Sequence, residues 1–293
     1  IVVFSVLKPS TFATVGDLQS ILTTQAALLV LAATLTVSLG AGEFDLSIAG
    51  VVSLSAIIVA KVAAADGAAA GLLVSLVASL LIGSVNSLVI VKFRANSFIV
   101  TLAMGTLLAG IGQGFSGSMT LGDVPDGVTK LMTGTWLGVG YPFWITAVIA
   151  IIVWAFLEHT PTGRYVFFTG EGRQAALLAG VRVNQIRVMS LIVTSLGAWA
   201  AGIMLAGQTD AANSTFGDPY LLQAFAAAFL GAATIKAGRF NVVGTVIAVL
   251  LLAVGTTGLQ LFGLASWVTN VFDGAVLIIA ITFASVVSHS RPR

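Results

Sequence analysis

Catalysis by side chains needs a nucleophile, a base and an orienting group within reach of one another, and this chain has little from which to build such a cluster. Its 293 residues include two histidines, His159 and His289, and no cysteine. Disulfides and thiolate metal sites are therefore excluded, and no catalytic residue, metal or cofactor is expected. The phosphate-cradling pattern G-x-x-x-x-G-K-[ST] is absent from the sequence, so the chain does not split a nucleotide by that route. What remains is a handful of polar residues set among apolar runs. Ion-coupled carriers place ionisable groups at depth as relays, yet here only Asp273 sits well inside a hydrophobic stretch. That scarcity points to a passive channel or to a subunit driven by a partner. The most informative interruption is Gly42-Glu43-Phe44-Asp45-Leu46-Ser47, which separates two hydrophobic runs, the second too short to span comfortably. Broken and short helices are where transporters put solute contacts. The polar residues near such helices, Asp45, Ser47, Asn96, Thr101, Gln113, Gln223 and Gln260, are therefore expected to line the pathway. The plainer reading is that Asp45 caps the helix that follows it.

The elements that must position these groups are membrane helices. Hydrophobic residues make up 58% of the chain and charged ones 8%, too few charges to coat a water-exposed surface. A span needs roughly 20 apolar residues, and runs over 18–40, 70–91, 97–115, 189–207, 242–262 and 267–286 reach or approach that length. Shorter runs cover 47–61, 142–157 and 220–235. None alternates polar with apolar residues, so they read as helices rather than barrel strands. Ile1 to Leu7 reads as the end of a helix whose start lies outside the sequence. The expectation is an all-α polytopic bundle of about ten transmembrane helices, the first truncated, forming a single domain over 1–293. A signal peptide cannot be judged from this start.

Basic residues orient the bundle. Lys92, Arg94, Arg164, Arg173, Arg182, Arg187, Lys236, Arg239, Arg291 and Arg293 fall on one side if loops alternate, and only Lys8, Lys61 and Lys130 on the other. The positive-inside rule then puts the loops around Lys92, 158–188, 236–240 and the C-terminus in the cytoplasm. Two loops are long enough for structure of their own: the outer 116–141, with Asp123, Pro125 and Asp126, and the inner 158–188. The other links read as tight turns. A net charge of +2 gives no reason to expect nucleic acid. Small residues four apart, as in Ser75, Ser79, Gly83 and Ser87, then Ala198, Gly202 and Ala206, then Ala224, Ala228 and Ala232, are expected to let helices approach closely.

The inner loop carries Thr162-Gly163-Arg164-Tyr165, then Glu171-Gly172-Arg173-Gln174-Ala175-Ala176-Leu177-Leu178-Ala179-Gly180-Val181. Its Ala and Leu content and terminal glycine predict a short helix ending at Gly180. Two turns of helix are marginal unless they dock on something. Gln174, Ala175, Ala176, Leu178 and Gly180 are therefore the expected docking surface for a partner, with arginines around it.

At these motifs the sequence resembles the membrane permease subunits of bacterial ABC importers for simple sugars, the ribose, xylose and arabinose permease family. The likeness extends over nearly the whole chain. Gly42 to Ile48 is similar to that family's G-[GI]-[ID]-D-L-S-V stretch and Ser97-Phe98-Ile99-Val100-Thr101-Leu102 to its F-I-x-T-L signature. Gln174-Ala175-Ala176 with Gly180 resembles its E-A-A-x-x-x-G coupling loop. Leu230-Gly231, Gly244-Thr245 and Gly258-Leu259-Gln260-Leu261 resemble its L-G-G-T-S, V-G-T and N-G-L-N-L elements. The resemblance implies an importer permease fold, a second permease copy in a homodimer or heterodimer, and a cytoplasmic ATPase that hydrolyses ATP. It also implies a periplasmic or lipid-anchored solute-binding protein, in a bacterial inner membrane. Glu43, Leu221, Gln223, Ala232, Ala233 and Asp273 depart from the family pattern and bear on the solute. A pentose or hexose is the expected cargo; a nucleoside, polyol, branched-chain amino acid or signalling furanone is the alternative, and a passive pore the reading from another class.

Overall fold

The computed structural model describes residues 14–289 apart from 123, 237 and 264. Ile1 to Lys8, Asp123, Arg291 and Arg293 lie outside the described residues. The first helices, α1 (Val15–Thr24) and α2 (Ala26–Gly40), are one run of chain bent by 51°. A capping box opens α1: the Thr14 hydroxyl accepts from the Asp17 amide, and the Asp17 carboxylate accepts from the Thr14 amide. Every residue of α2 is buried. A helix apolar on all sides belongs at the centre of a bundle, and α2 is the axis here.

The chain continues through α3 (Ile48–Asp66), α4 (Ala68–Ser87), which runs on into a π-helical turn at Leu88–Lys92, and α5 (Ser97–Ser116); α3 packs against both α4 and α5. A short α6 (Asp126–Thr133) and a two-stranded hairpin follow. Its strands, β1 (Thr135–Trp136) and β2 (Val139–Gly140), are antiparallel, with Thr135 opposite Gly140. Next come α7 (Tyr141–His159), the short α8 (Pro161–Glu171) and α9 (Arg173–Leu178), the long α10 (Val183–Thr209), α11 (Asp218–Thr234), α12 (Val242–Leu261) and α13 (Ser266–His289). Among the described residues six helices are long and apolar enough to cross a membrane, α3, α4 with its π turn, α5, α7, α10 and α12, and the bent pair α1–α2 makes up to seven. Helix α11, at 17 residues, and the apolar stretch Trp267–Phe283 of α13 are shorter. Each hydrophobic run among the described residues is thus helical, that at 18–40 as the bent pair α1–α2, and the chain is a polytopic helical membrane protein.

Small residues set the packing. Helices α4 and α10 meet where the Ser79 hydroxyl donates to the Ser195 carbonyl at 2.9 Å and the Ser195 hydroxyl to the Ser79 carbonyl at 2.8 Å. Gly202 lies on α3 so closely that a methyl group there would collide with the Val52 carbonyl. In hydrocarbon such contacts replace the hydrophobic drive that water supplies. The outer faces of α4 and α5 stay exposed and apolar, with Leu73, Leu81, Ile99 and Leu107 each at least half exposed.

One link departs from the tight turn its sequence suggests. Between α10 and α11, residues 210–217 run as an irregular segment back along the bundle. Its backbone is satisfied from several elements: Ala212 bridges Leu121 by paired 2.8 Å bonds, and the Gly217 amide donates to the Ser53 hydroxyl at 2.9 Å. Gly217 packs on Ala49, in the first turn of α3, so α11 begins at depth rather than at the bundle's end. Non-helical backbone is tolerated there only where protein or a cavity lines it.

Candidate functional site

The motifs separated along the chain converge at the end of the bundle that carries α8 and α9. The break after α2 is held by α5: the Phe44 amide donates to the Ser97 hydroxyl at 3.2 Å and the Leu46 amide to the Thr101 hydroxyl at 3.0 Å. Thr101 in turn donates to the Ser97 carbonyl at 2.7 Å. Free amides of a broken helix cannot be left bare in a buried place, and the two α5 hydroxyls four residues apart supply the acceptors. Asp45 Oδ1 accepts from the Ser47 amide at 3.1 Å and from its hydroxyl at 2.5 Å. That is a side-chain-closed turn, not a cap. Ser47 occupies the N-cap position of α3 and makes no side-chain capping bond. The Ser47 hydroxyl also accepts from Asn86 Nδ2 of α4 at 2.9 Å. Burial pushes the Asp45 carboxyl up to about 6, against the pull of the two Ser47 bonds.

Two residues earlier, Glu43 ties this break to the helices beyond α7. It is 1% exposed, and its Oε1 accepts from Arg187 Nε, in the first turns of α10, and from Arg173 Nη2, at the head of α9, at 2.6 Å. Arg173 also donates to the Gly42 carbonyl at 3.3 Å. Gly42 takes a left-handed φ of +76° and faces Gly170 of α8, whose own hydrogen touches the Gly40 carbonyl region so closely that no side chain fits there. Helix α9 ends as its sequence predicts: Gly180 has φ +80°, its amide donates to the Leu177 carbonyl, and the Val181 amide donates to the Ala176 carbonyl at 3.0 Å. Leu178 is 91% exposed and Leu177 57% exposed.

A second polar region lies where α11, α12 and α13 meet. A cavity of about 570 Å³ is lined by Asp218, Pro219, Leu222, Gln223, Gln260, Thr269, Asn270 and Asp273. Gln223 Nε2 donates to Asp273 Oδ2 at 2.6 Å.

A profile of the branched-chain amino acid transport system / permease component family matches residues 18–281. The chain belongs to this family. The permease is 29% identical over 289 residues to the ribose import permease RbsC of Escherichia coli K12, covering 96% of this chain and 89% of that protein. It is 32% identical to the ribose import permease RbsC of Bacillus subtilis over 96% of this chain and 88% of that one. It is 28% identical to the autoinducer 2 import permease LsrD of Photorhabdus temperata over 89% of this chain and 80% of the relative. No solved structure matches.

The residues expected along a pathway therefore separate into groups. Asp45, Ser47 and Thr101 come together, but as a buried hydrogen-bonded knot that shapes the break. Asn96 caps α5, its side chain accepting from the Ile99 amide at 3.3 Å. Gln113 is exposed near the far end of α5. Gln223 and Gln260 share the cavity. Of the docking residues, Gln174, Ala175, Leu178 and Gly180 are exposed, whereas Ala176 is fully buried in a cluster with Val166, Phe167 and Val183. The expectation that Ala176 belongs to the presented face is corrected: it is the inward side of a two-turn helix, and Leu177 and Leu178 are the outward one. Sequence reading passed over Glu43, Arg173 and Arg187 as a unit. The available signal was a single acidic residue beside the break and arginines at two helix starts. Asp218, Thr269 and Asn270 gave no signal, because their meeting depends on how α11 and α13 cross.

Proposed function

We propose that this permease is the membrane subunit of an ATP-driven importer for a small sugar. It would work as one of two permease copies above a cytoplasmic ATPase and below a solute-binding protein, in a bacterial inner membrane with the α8 and α9 end in the cytoplasm. The observation that carries this reading is α9. A two-turn helix with Leu177 and Leu178 turned outward is unstable as an isolated surface feature, and each leucine would contribute roughly 1.5–3 kcal/mol on full burial in a partner's groove. Glu43 gives that helix a direct ionic connection, through Arg173, to the break between α2 and α3. Movement of a docked partner can thereby reach the membrane helices. The likeness to ribose import permeases supports a pentose as cargo. The likeness to autoinducer 2 permeases supports, as a second reading, a small polyhydroxylated furanone.

Uptake of radiolabelled pentoses, hexoses and furanones, with and without depletion of ATP, tests the proposal. Energy-dependent accumulation of one of them supports it. Equilibration that persists without ATP would instead establish a passive pore.

A further inference from the structure

The cavity between α11, α12 and α13 has the chemistry of a solute site, and its polarity is the key. Helix α11 starts beside the first turn of α3, and its first residues, Asp218 and Pro219, both exposed, stand at the open mouth of the cavity. Deeper in the wall, Asp273 is 7% exposed. Its Oδ2 accepts from Gln223, while its Oδ1 is buried and has no hydrogen-bond partner. An unpaired buried carboxylate oxygen is costly, and it persists where a ligand or water completes it. A volume of about 570 Å³ falls within the range of small-molecule sites.

The inventory of lining groups selects the ligand. Asp218 and Asp273 only accept while ionised; Gln223, Gln260, Asn270 and Thr269 both donate and accept. Among the described residues no lysine, arginine or histidine lines the cavity. An anionic solute would meet two carboxylates and no cation to balance them. An ammonium group offers donors alone, so wherever it replaces a hydroxyl it can meet a carboxylate but leaves the amide donors of Gln223, Gln260 or Asn270 unmatched. A hydroxyl group is donor and acceptor at once, so neighbouring hydroxyls can donate to Asp273 and accept from Gln223 or Asn270. Pro219 and Leu222 supply the apolar wall that the C–H face of a ring needs. We propose that this cavity, within a single permease chain, is a transit site for neutral polyhydroxylated solutes. Asp273 is its specificity-determining residue and bars phosphorylated and acidic sugars. The proposal rests on the sugar-importer reading and adds to it the place and the charge rule.

The chain has no cysteine, which makes the site directly testable. Leu222→Cys in the intact transporter places a single thiol on the cavity wall without removing a polar contact, and Thr269→Cys provides a second position. The rate of alkylation by N-ethylmaleimide is measured with D-ribose, D-ribose 5-phosphate, D-gluconate or D-glucosamine present. Neutral D-ribose at roughly ten times its dissociation constant should slow alkylation about tenfold, as expected for simple occupancy. The two anions should leave the rate unchanged. Asp273→Leu in the same background should abolish protection while Asp273→Asn retains part of it, each variant being checked for membrane insertion and co-purification with its partners. Protection by the anions equal to that by ribose, or by glucosamine alone, would overturn the charge rule. ATP-driven uptake of a neutral sugar with no protection at either thiol would overturn the site and leave the importer reading standing. Failure of every neutral sugar to be transported would overturn the importer reading itself, and the site's proposed ligand with it.

Discussion

Removing either arginine from Glu43 should have very different consequences, although both bonds are short. Arg187 has a side chain only 9% exposed and Arg173 one that is 47% exposed, while Glu43 is 1% exposed. Arg187→Met leaves the buried Glu43 with a partner that water screens, and Glu43→Gln leaves Arg187 buried without a counter-charge. Breaking a buried pair by removing one member costs about 3–5 kcal/mol, because the surviving charge stays desolvated. Arg173→Gln breaks a bond whose cation reaches solvent, and a loss of about 0–1 kcal/mol is expected. Replacing both buried members, Glu43→Leu with Arg187→Met, should recover much of the single-variant loss, since no charge is then left stranded. The assay is the midpoint of thermal and denaturant unfolding of the detergent-solubilised chain for all four variants, alongside stimulated ATP hydrolysis in the reconstituted complex. Arg173→Gln should keep the midpoint and lose stimulation, because Arg173 carries the ion pair that joins Glu43 to α9. Equal destabilisation by the two arginine variants would refute the ranking by burial. A double variant worse than the sum of the singles would refute the stranded-charge argument.

Asp45 gives a pH dependence whose sign is fixed by the direction of its shift. With the folded value raised from 3.8 to about 6, the folded chain holds the extra proton between those limits, so this group's contribution to stability declines as pH rises from about 4 to 6. Asp45→Asn should therefore raise the melting temperature at pH 7.5, by an amount equivalent to roughly 3 kcal/mol at most, and give little gain at pH 4; a gain independent of pH would disprove ionisation as the cause. Leu178→Glu, at a 91% exposed position, should change the chain's own stability by no more than about 0.5 kcal/mol yet abolish co-purification with the proposed ATPase partner. Ala176→Glu should instead lower the melting temperature sharply, and the reverse pattern would show that α9 is turned the other way. Gly170→Ala forces a methyl into the Gly40 carbonyl and should cost about 1–3 kcal/mol, seen as early unfolding of the solubilised chain.

Membership of a helical membrane class was legible from the chain alone, because a span is a local property. An apolar run of sufficient length must be a helix wherever it ends up, since hydrocarbon offers no partner for its backbone. The positions of the apolar helices among the described residues, the short helix ending at Gly180 and the small-residue seams followed from that and from spacing. The motifs at 42–48, 97–102 and 174–180 were visible as well, but their purpose was not. Asp45, Ser47 and Thr101 looked like solute contacts because polarity beside a broken helix reads the same whether it binds cargo or satisfies backbone. Only the folded chain puts the Ser97 and Thr101 hydroxyls against the bare amides of Phe44 and Leu46. Ala176 and Leu178 are two positions apart in a helix of six residues, too short for a period to tell inside from outside. Burial by α8 and α10 decides it. The pairing of Glu43 with Arg187 spans 144 residues, and the cavity joins positions from 218 to 273. Such meetings depend on helix crossing and on the depth at which α11 begins, which no local pattern encodes; they come from close packing of the whole bundle.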